Sequence, residues 1–375
     1  MNGVHLEIQL LAAVVAVACA LPGVFLVLRR MALMSDAISH SILLGIVLGF
    51  FWVGDLGHPL LILAATATGV LTVALVELLH GTRRVKEDAA IALVFPALFS
   101  IAVILIAQRA GGVHLDVDAV LLGEIAFAPF RRFEWNGLDL GPRSLWVMGG
   151  ILALNLLAIG LFYKELKLST FDAGLAASLG FSPVLVHYGF MTLVSVTAVG
   201  AFDAVGSILV VALMIAPPAA AWLLTDRLPV MLALSGLIAA VSAIAGFHVA
   251  IAFDASIAGS MAGMTGVAFV GAFALAPERG LVAQWQRRAR QRVEFAGLML
   301  SIHLLNHEGG ARAEVENRVE HLSEHLRWSP DFARRVVRRA ERDGLVVREG
   351  RDRLLLTPLG REAARHGMVQ APPAR

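Results

Sequence analysis

Along the first three quarters of this chain, apolar residues come in unbroken runs rather than on alternating faces. The runs have about the 20-residue length that a helix needs to cross a bilayer. They fall near 6–28, 31–54, 59–79, 90–108, 144–163, 184–202, 204–224, 229–247 and 256–276. Helices that are apolar all round have no face for water. The pattern therefore predicts nine spans, or eight if the pair parted only by Ala201, Phe202 and Asp203 is one broken segment. From Arg290 onward the pattern is that of soluble helices: VEFAGLMLSIHLLNH, ENRVEHLSEHLR, and SPDFARRVVRRAERDGLV, which opens on Ser329-Pro330. Two short strands around Gly350 and a last helix, LGREAARH, complete the tail.

Composition agrees with a change of solvent partway along. Hydrophobic residues make up 58% and charged residues 16% of the 375, which excludes an ordinary water-soluble domain. Residues 1–277 carry a net −4 and residues 278–375 a net +6, within a whole-chain charge of +2. The expected fold class is an all-α polytopic membrane protein with a small winged helix-turn-helix domain. Its expected parts are a transmembrane domain (1–277), a linker (278–289), the winged helix (290–367) and a disordered tail (368–375). Cys19 is the single cysteine, so no disulfide forms within one chain. The N-terminus lacks a basic n-region and a cleavage site, so the first run is expected to remain as a span.

Lys and Arg in short loops mark the cytoplasmic side. Arg29-Arg30, Arg83-Arg84-Lys86, Lys164 with Lys167, Arg227 and the Arg-rich tail alternate correctly for an outside N-terminus and an inside C-terminus. Arg131, Arg132 and Arg143, in the long loop 109–143, run against this assignment. The expected place is the cell membrane, multi-pass, with the C-terminus in the cytoplasm. Glu7, Asp55, Asp116, Asp118, His5, His58 and His114 then form either a cation-attracting outer mouth or ordinary solvated loops.

Candidate chemistry sits in MALMSDAISHSILLGIVLGFFWVG, residues 31–54. A carboxylate at the centre of a membrane helix costs about 2.5–3.5 kcal/mol, so an intramembrane Asp or His points first to function. Asp36 and His40 are four apart, which turns both to one helix face about 6 Å apart along the axis. One divalent metal can touch both; the simpler alternative is a capped helix start at Ser35 or Asp36. The chain has no phosphate loop, and none of Lys86, Lys164 and Lys167 follows a glycine. Nor does a nucleophile elbow accompany Ser35 and Ser39. The spans contain Pro217-Pro218, where a kink is expected near Ala216, and small residues such as Gly200, Gly206, Ser207 and Ala219–Ala221, which suit close helix packing.

Residues 23–50, GVFLVLRRMALMSDAISHSILLGIVLGF, resemble the membrane permeases of bacterial ATP-binding-cassette importers for manganese, zinc and iron. So do 205–228, VGSILVVALMIAPPAAAWLLTDRL; 171–183, FDAGLAASLGFSP; and 115–125, LDVDAVLLGEI. The resemblance implies that Asp36 and His40 bind the transported metal, and that no cofactor is held permanently. It implies an ATPase coupling segment at Phe171, Asp172, Leu175, Ala176, Leu179 and Gly180, where Phe171 to Leu179 reads as one short amphipathic helix that Gly180 and Pro183 stop. It also implies a separate ABC ATPase subunit, an extracytoplasmic metal-binding protein, a homodimer and a surrounding lipid membrane. His248 and Asp254, in GFHVAIAFDASIAGSMAGM, are expected to complete the coordination or to form a gate. That segment lacks the Pro-Ser/Thr-Gly pattern common in zinc members. Manganese is therefore the expected cargo, with zinc and iron as alternatives.

The tail resembles the N-terminal domain of metal-dependent repressors. Arg334, Arg335, Arg338 and Arg339 lie where such a domain would contact DNA or a protein, and protein contact or ATPase regulation is the expected role. The alternative function is a membrane-anchored, metal-sensing transcription regulator. His303 with His307 and His321 with His325 read either as metal sensors or as solvated helix faces.

Overall fold

The structure, a computed structural model, describes residues 2–54, 58–109, 125–135, 138–309, 318, 322, 326–350 and 352–370. It divides into two units, Met1–Gly280 and Leu281–Arg375. Among the described residues of the first unit, nine helices are long and apolar enough to cross a membrane. They are α1 (Asn2–Leu28), α2 (Ala32–Val53), α3 (Pro59–Gly81), α4 (Glu87–Arg109), α5 (Arg143–Leu161), α8 (Pro183–Val205), α9 (Ser207–Leu224), α10 (Leu228–Phe253) and α11 (Ile257–Leu275). Two short helices, α6 (Tyr163–Phe171) and α7 (Ala173–Ser178), lie between α5 and α8.

α1 forms the centre of this unit and packs against α5, α8, α9 and α10. Its run from Ile8 to Leu28 has no charge to expose, and most of it is buried. Buried polar groups serve as ties between helices. Asn155 of α5 donates to the Ala18 carbonyl of α1 at 2.9 Å and to the Thr197 hydroxyl of α8 at 3.0 Å. On the other flank α2 packs against α3, α4, α8 and α9.

The pair of spans near residue 200 is two helices, and the break lies beyond the place expected. Residues 201–203 are helical, and the chain turns at Gly206, whose φ of +81° and ψ of 165° suit glycine alone. Asp203 does not interrupt α8 because its side chain is exposed and meets Arg131 at 3.9 Å. α9 runs continuously through Pro217 and Pro218, both buried.

The described part of the long loop carries a short 3₁₀ turn (Ile125–Phe130) and an antiparallel hairpin of β1 (Arg132–Trp135) and β2 (Leu138–Pro142). Arg132, one of the residues that run against the orientation, pairs with Glu7 of α1 at 3.2 Å and with Asp139 of β2. The Gly141 amide and then Arg132 hold the Asp139 carboxyl below the usual carboxylate range. It thus stays ionised to a lower pH than an ordinary aspartate does.

In the second unit, α12 (Leu281–His307) is followed by α13 (Pro330–Arg342), an antiparallel hairpin of β3 (Val346–Glu349) and β4 (Arg353–Leu356), and α14 (Pro358–Gln370). The core is built from Leu300, Leu304, Leu322, Val336, Val337, Val346 and Leu354. The helix expected over 316–327 lies largely outside the described residues. The linker expected over 278–289 is helical from Leu281, because LVAQWQRRARQR contains helix formers and no glycine or proline. The tail expected from 368 is likewise helical as far as Gln370.

Candidate metal pathway and docking segment

Three residues, Arg29 to Met31, connect α1 to α2, so Asp36 falls in the second turn of α2 and His40 one turn further on. The pair is therefore nearer the Arg29 end than the middle of the span. His40 Nε2 stands 3.3 Å from Asp36 Oδ1, and the two side chains keep 30% and 39% of their exposure. Ser35, Ala37, Ile38, Ser39 and Ser41 beside them are buried. The chain's own helices thus leave this polar pair partly exposed on the flank of α2. Phe95 and Phe99 of α4 border it, with ring centroids 5.8 and 6.2 Å from the His40 imidazole. The Ser35 and Ser39 hydroxyls donate to the Ala32 and Ser35 carbonyls, both at 2.8 Å. This leaves a carboxylate and an imidazole as a borderline donor set, suited to manganese, zinc or ferrous iron.

His248 and Asp254 do not join this pair. His248 lies in the last turns of α10 and Asp254 is its left-handed C-cap, and α10 packs against α1, α9 and α11. Both α2 and α10 start at the end marked by Arg29 and Arg227. At 1.5 Å per residue, His248 lies on the order of 20 Å further along the bundle than Asp36. Its neighbour Phe247 meets the ring of His5, near the start of α1, at 5.7 Å. Among the described residues no three His, Cys, Asp or Glu side chains converge on a metal-sized site.

Of the expected acidic mouth, Asp55, His114, Asp116 and Asp118 lie outside the described residues. His58 caps α3, its Nδ1 accepting the Leu60 amide at 3.2 Å.

The segment expected to couple to an ATPase is two helices rather than one. Asp172 takes an extended conformation and its carboxylate accepts the Leu175 amide at 2.9 Å, so α7 starts afresh at Ala173 and Phe171 ends α6. α7 closes through bonds from the Gly180 and Phe181 amides to the Ala177 and Ala176 carbonyls, with Gly180 at φ +89°. Ala176 is buried, whereas Phe171, Leu175 and Leu179 keep 62%, 46% and 58% of their exposure. Three large apolar side chains around one six-residue helix form a surface suited to a protein partner.

In the second unit, Arg334, Arg335, Arg338 and Arg339 lie on the exposed face of α13. Arg334 pairs with Asp331 at 2.7 Å, Arg339 with Asp343 at 2.8 Å, and Arg335 lies over the Phe332 ring. The His303 and His307 rings are 4.6 Å apart on α12; His321 and His325 lie outside the described residues.

A further polar cluster joins Arg29, Glu77, Ser169, Thr170 and His187. Glu77 and His187 are ionisable residues inside apolar runs, the same signal that marks Asp36 and His40.

Residues 4–276 match the family model described as ABC 3 transport family. The chain is 51% identical to the zinc transport system membrane protein TroD of Treponema pallidum over 355 residues, covering 95% of this chain and 96% of that protein. That match extends into the second unit. It is 47% identical to the manganese transport system membrane protein MntD of Bacillus subtilis over 283 residues, covering 76% and 96%. Among solved structures it is similar to PsaBC from Streptococcus pneumoniae in complex with Fab. The TM-score there is 0.61 and the identity 28%, over 73% of this chain and 92% of that one.

Proposed function

The chain belongs to the ABC 3 transport family, and from that premise we propose that it carries manganese into the cytoplasm, with zinc and ferrous iron the other metals its ligands suit. It is a permease subunit and not an enzyme: ATP is hydrolysed by a separate subunit. The observation that carries the cargo assignment is the Asp36–His40 pair, two borderline ligands 3.3 Å apart and partly exposed within a span. The relatives' names support both zinc and manganese. The missing Pro-Ser/Thr-Gly pattern favours manganese.

Two ligands are too few for a transition ion. We assign the remainder to the Asp36–His40 pair of a second copy, packed so that the uncovered flanks of both α2 helices line one pathway. Metal delivered by an extracytoplasmic binding protein meets this site, and closure of the ATPase pair, transmitted through α6 and α7, opens it inward. In this reading Arg29 and the C-terminal unit face the cytoplasm. The C-terminal unit contacts or regulates the ATPase; the arginine pairing on α13 weakens the reading of that face as a DNA contact.

ATP-dependent uptake of radiolabelled manganese, zinc and iron into vesicles containing this chain and its ATPase tests the reading. Manganese uptake that is lost in His40→Ala is expected; no uptake of any of the three metals overturns it. Leu175→Asp places a charge in the centre of the apolar docking surface and is expected to leave the chain in the membrane but without bound ATPase, read by co-purification. Removing residues 281–375 is expected to leave maximal uptake intact while changing its response to cytoplasmic metal; loss of uptake from an assembled complex would refute a regulatory role.

A further inference from the structure

The cluster at the start of α2 bears on how motion of the docking segment reaches the metal ligands. Arg29 follows the last turn of α1. Its Nε donates to the Thr170 hydroxyl at 3.0 Å, and one terminal nitrogen donates to the Ser169 hydroxyl, also at 3.0 Å. Ser169 and Thr170 close α6, immediately before Phe171 and the Asp172 cap of α7. The other terminal nitrogen lies 3.4 Å from His187 Nδ1 in the first turns of α8, and the guanidinium stands 4.8 Å over the Phe190 ring. On its far side His187 Nε2 meets Glu77 of α3 at 2.6 Å. One side chain therefore joins the end of α6 and the start of α8, and through His187 reaches α3.

The backbone around Arg29 is equally fixed. The Arg29 amide bonds to the Phe25 carbonyl and the Met31 amide to that of Leu26, with Arg30 between them at φ +63°. This tight turn leads directly into α2, and Asp36 follows seven residues after Arg29. Burial pushes the Arg29 guanidinium down to about 10, so it is charged at neutral pH. A half-buried cation whose bonds go to two hydroxyls, an imidazole and a ring is costly to hold for packing alone.

We propose that Arg29 is the positioning residue that ties the docking segment to the metal-bearing helix, so that displacement of α6–α7 moves the start of α2 and with it Asp36 and His40. The proposal rests on the importer reading above. A guanidinium suits the role because its planar fork engages Ser169 and Thr170 together, which a lysine ammonium cannot do in the same geometry. Alternative hydrophobic side chains would fill the space without linking the elements.

The test is the number of manganese ions transported per ATP hydrolysed, measured in vesicles containing the full chain, its ATPase and its binding protein. Arg29→Gln is expected to lower this ratio about tenfold, within the range that changes along coupling networks produce. Arg29→Lys is expected to restore it only in part. Ser169→Ala combined with Thr170→Val removes the acceptors without touching the cation, and is expected to lower the ratio in the same direction and to add little to Arg29→Gln. A merely structural role would reduce transport and hydrolysis together, and an unchanged ratio, with both rates normal or both reduced, overturns the proposal. Wild-type vesicles separate the two readings: if they take up no metal the importer reading fails, whereas normal uptake with an unaltered ratio in all three variants removes Arg29 alone.

Discussion

Replacing Asp36 by Asn is expected to abolish metal uptake while leaving the chain inserted in the membrane. The substitution keeps the shape of the side chain, so the packing of α2 against α3, α4, α8 and α9 is preserved. What it removes is the negative charge, in a segment whose only other ionisable group on that face is His40. An amide oxygen is a poor replacement for a carboxylate on a divalent ion. Changes to the outer partners of metal ligands already cost about 10–100-fold in affinity, so loss of the carboxylate itself is expected to lower uptake by more than about 100-fold. A charge costs about 2.5–3.5 kcal/mol at the centre of a span and less toward its end, where Asp36 lies, so removing it leaves no insertion penalty and the Asp36→Asn chain is expected to insert at least as well as the native one. Uptake at the wild-type rate by correctly inserted Asp36→Asn protein would remove Asp36 from the pathway.

The parts of this fold that are legible in the sequence are those that depend on one helix at a time. Unbroken apolar runs mark all nine candidate spans because a span requires little more than length and hydropathy. The breaks are less legible. Ala201–Asp203 reads as an interruption because Asp203 is charged, yet an exposed aspartate near the end of α8 is accommodated by Arg131, and the turn waits for Gly206. Asp172 falls inside a stretch that reads as one helix, although an Asp followed by helix-forming residues is itself a start signal, and its carboxylate caps α7. Between β1 and β2 the sequence reads Asn136-Gly137, the strongest two-residue sequence signal for a hairpin.

The metal site is legible only in its local part. Spacing alone puts Asp36 and His40 on one face, because positions four apart are a property of a single helix. Whether His248 could join them depends on the direction of two helices and on the depth of each residue, and counting turns from Arg29 and from Arg227 already separates them by on the order of 20 Å. Glu77 and His187 carry the same intramembrane charge signal as Asp36 and His40. His187 meets Glu77 on one side and Arg29 on the other, each more than a hundred positions away, which no spacing rule reports.

Gly45→Val is the second change with a large expected effect, because it acts on the placement of the metal helix rather than on its ligands. α2 and α3 approach so closely at Gly45 that a Cβ there would lie 2.4 Å from the Ala64 carbonyl oxygen and 2.5 Å from the Thr68 hydroxyl. The first of these is backbone and cannot swing aside. A turn away, the Ser41 and Thr72 hydroxyls meet at 2.6 Å across the same seam. Small residues permit such contacts in membranes, where tight packing substitutes for the missing hydrophobic drive. Overfilling a packed seam costs about 1–3 kcal/mol or more, and the strain is relieved by moving α2 away from α3. Because Asp36 and His40 ride on α2, the variant is expected to lose both thermal stability in detergent and manganese uptake, with Gly45→Ala intermediate in each. Stability and uptake that both match wild type in Gly45→Val would show that the seam yields at this point, and that the position of the metal ligands is set by contacts with α4, α8 and α9 instead.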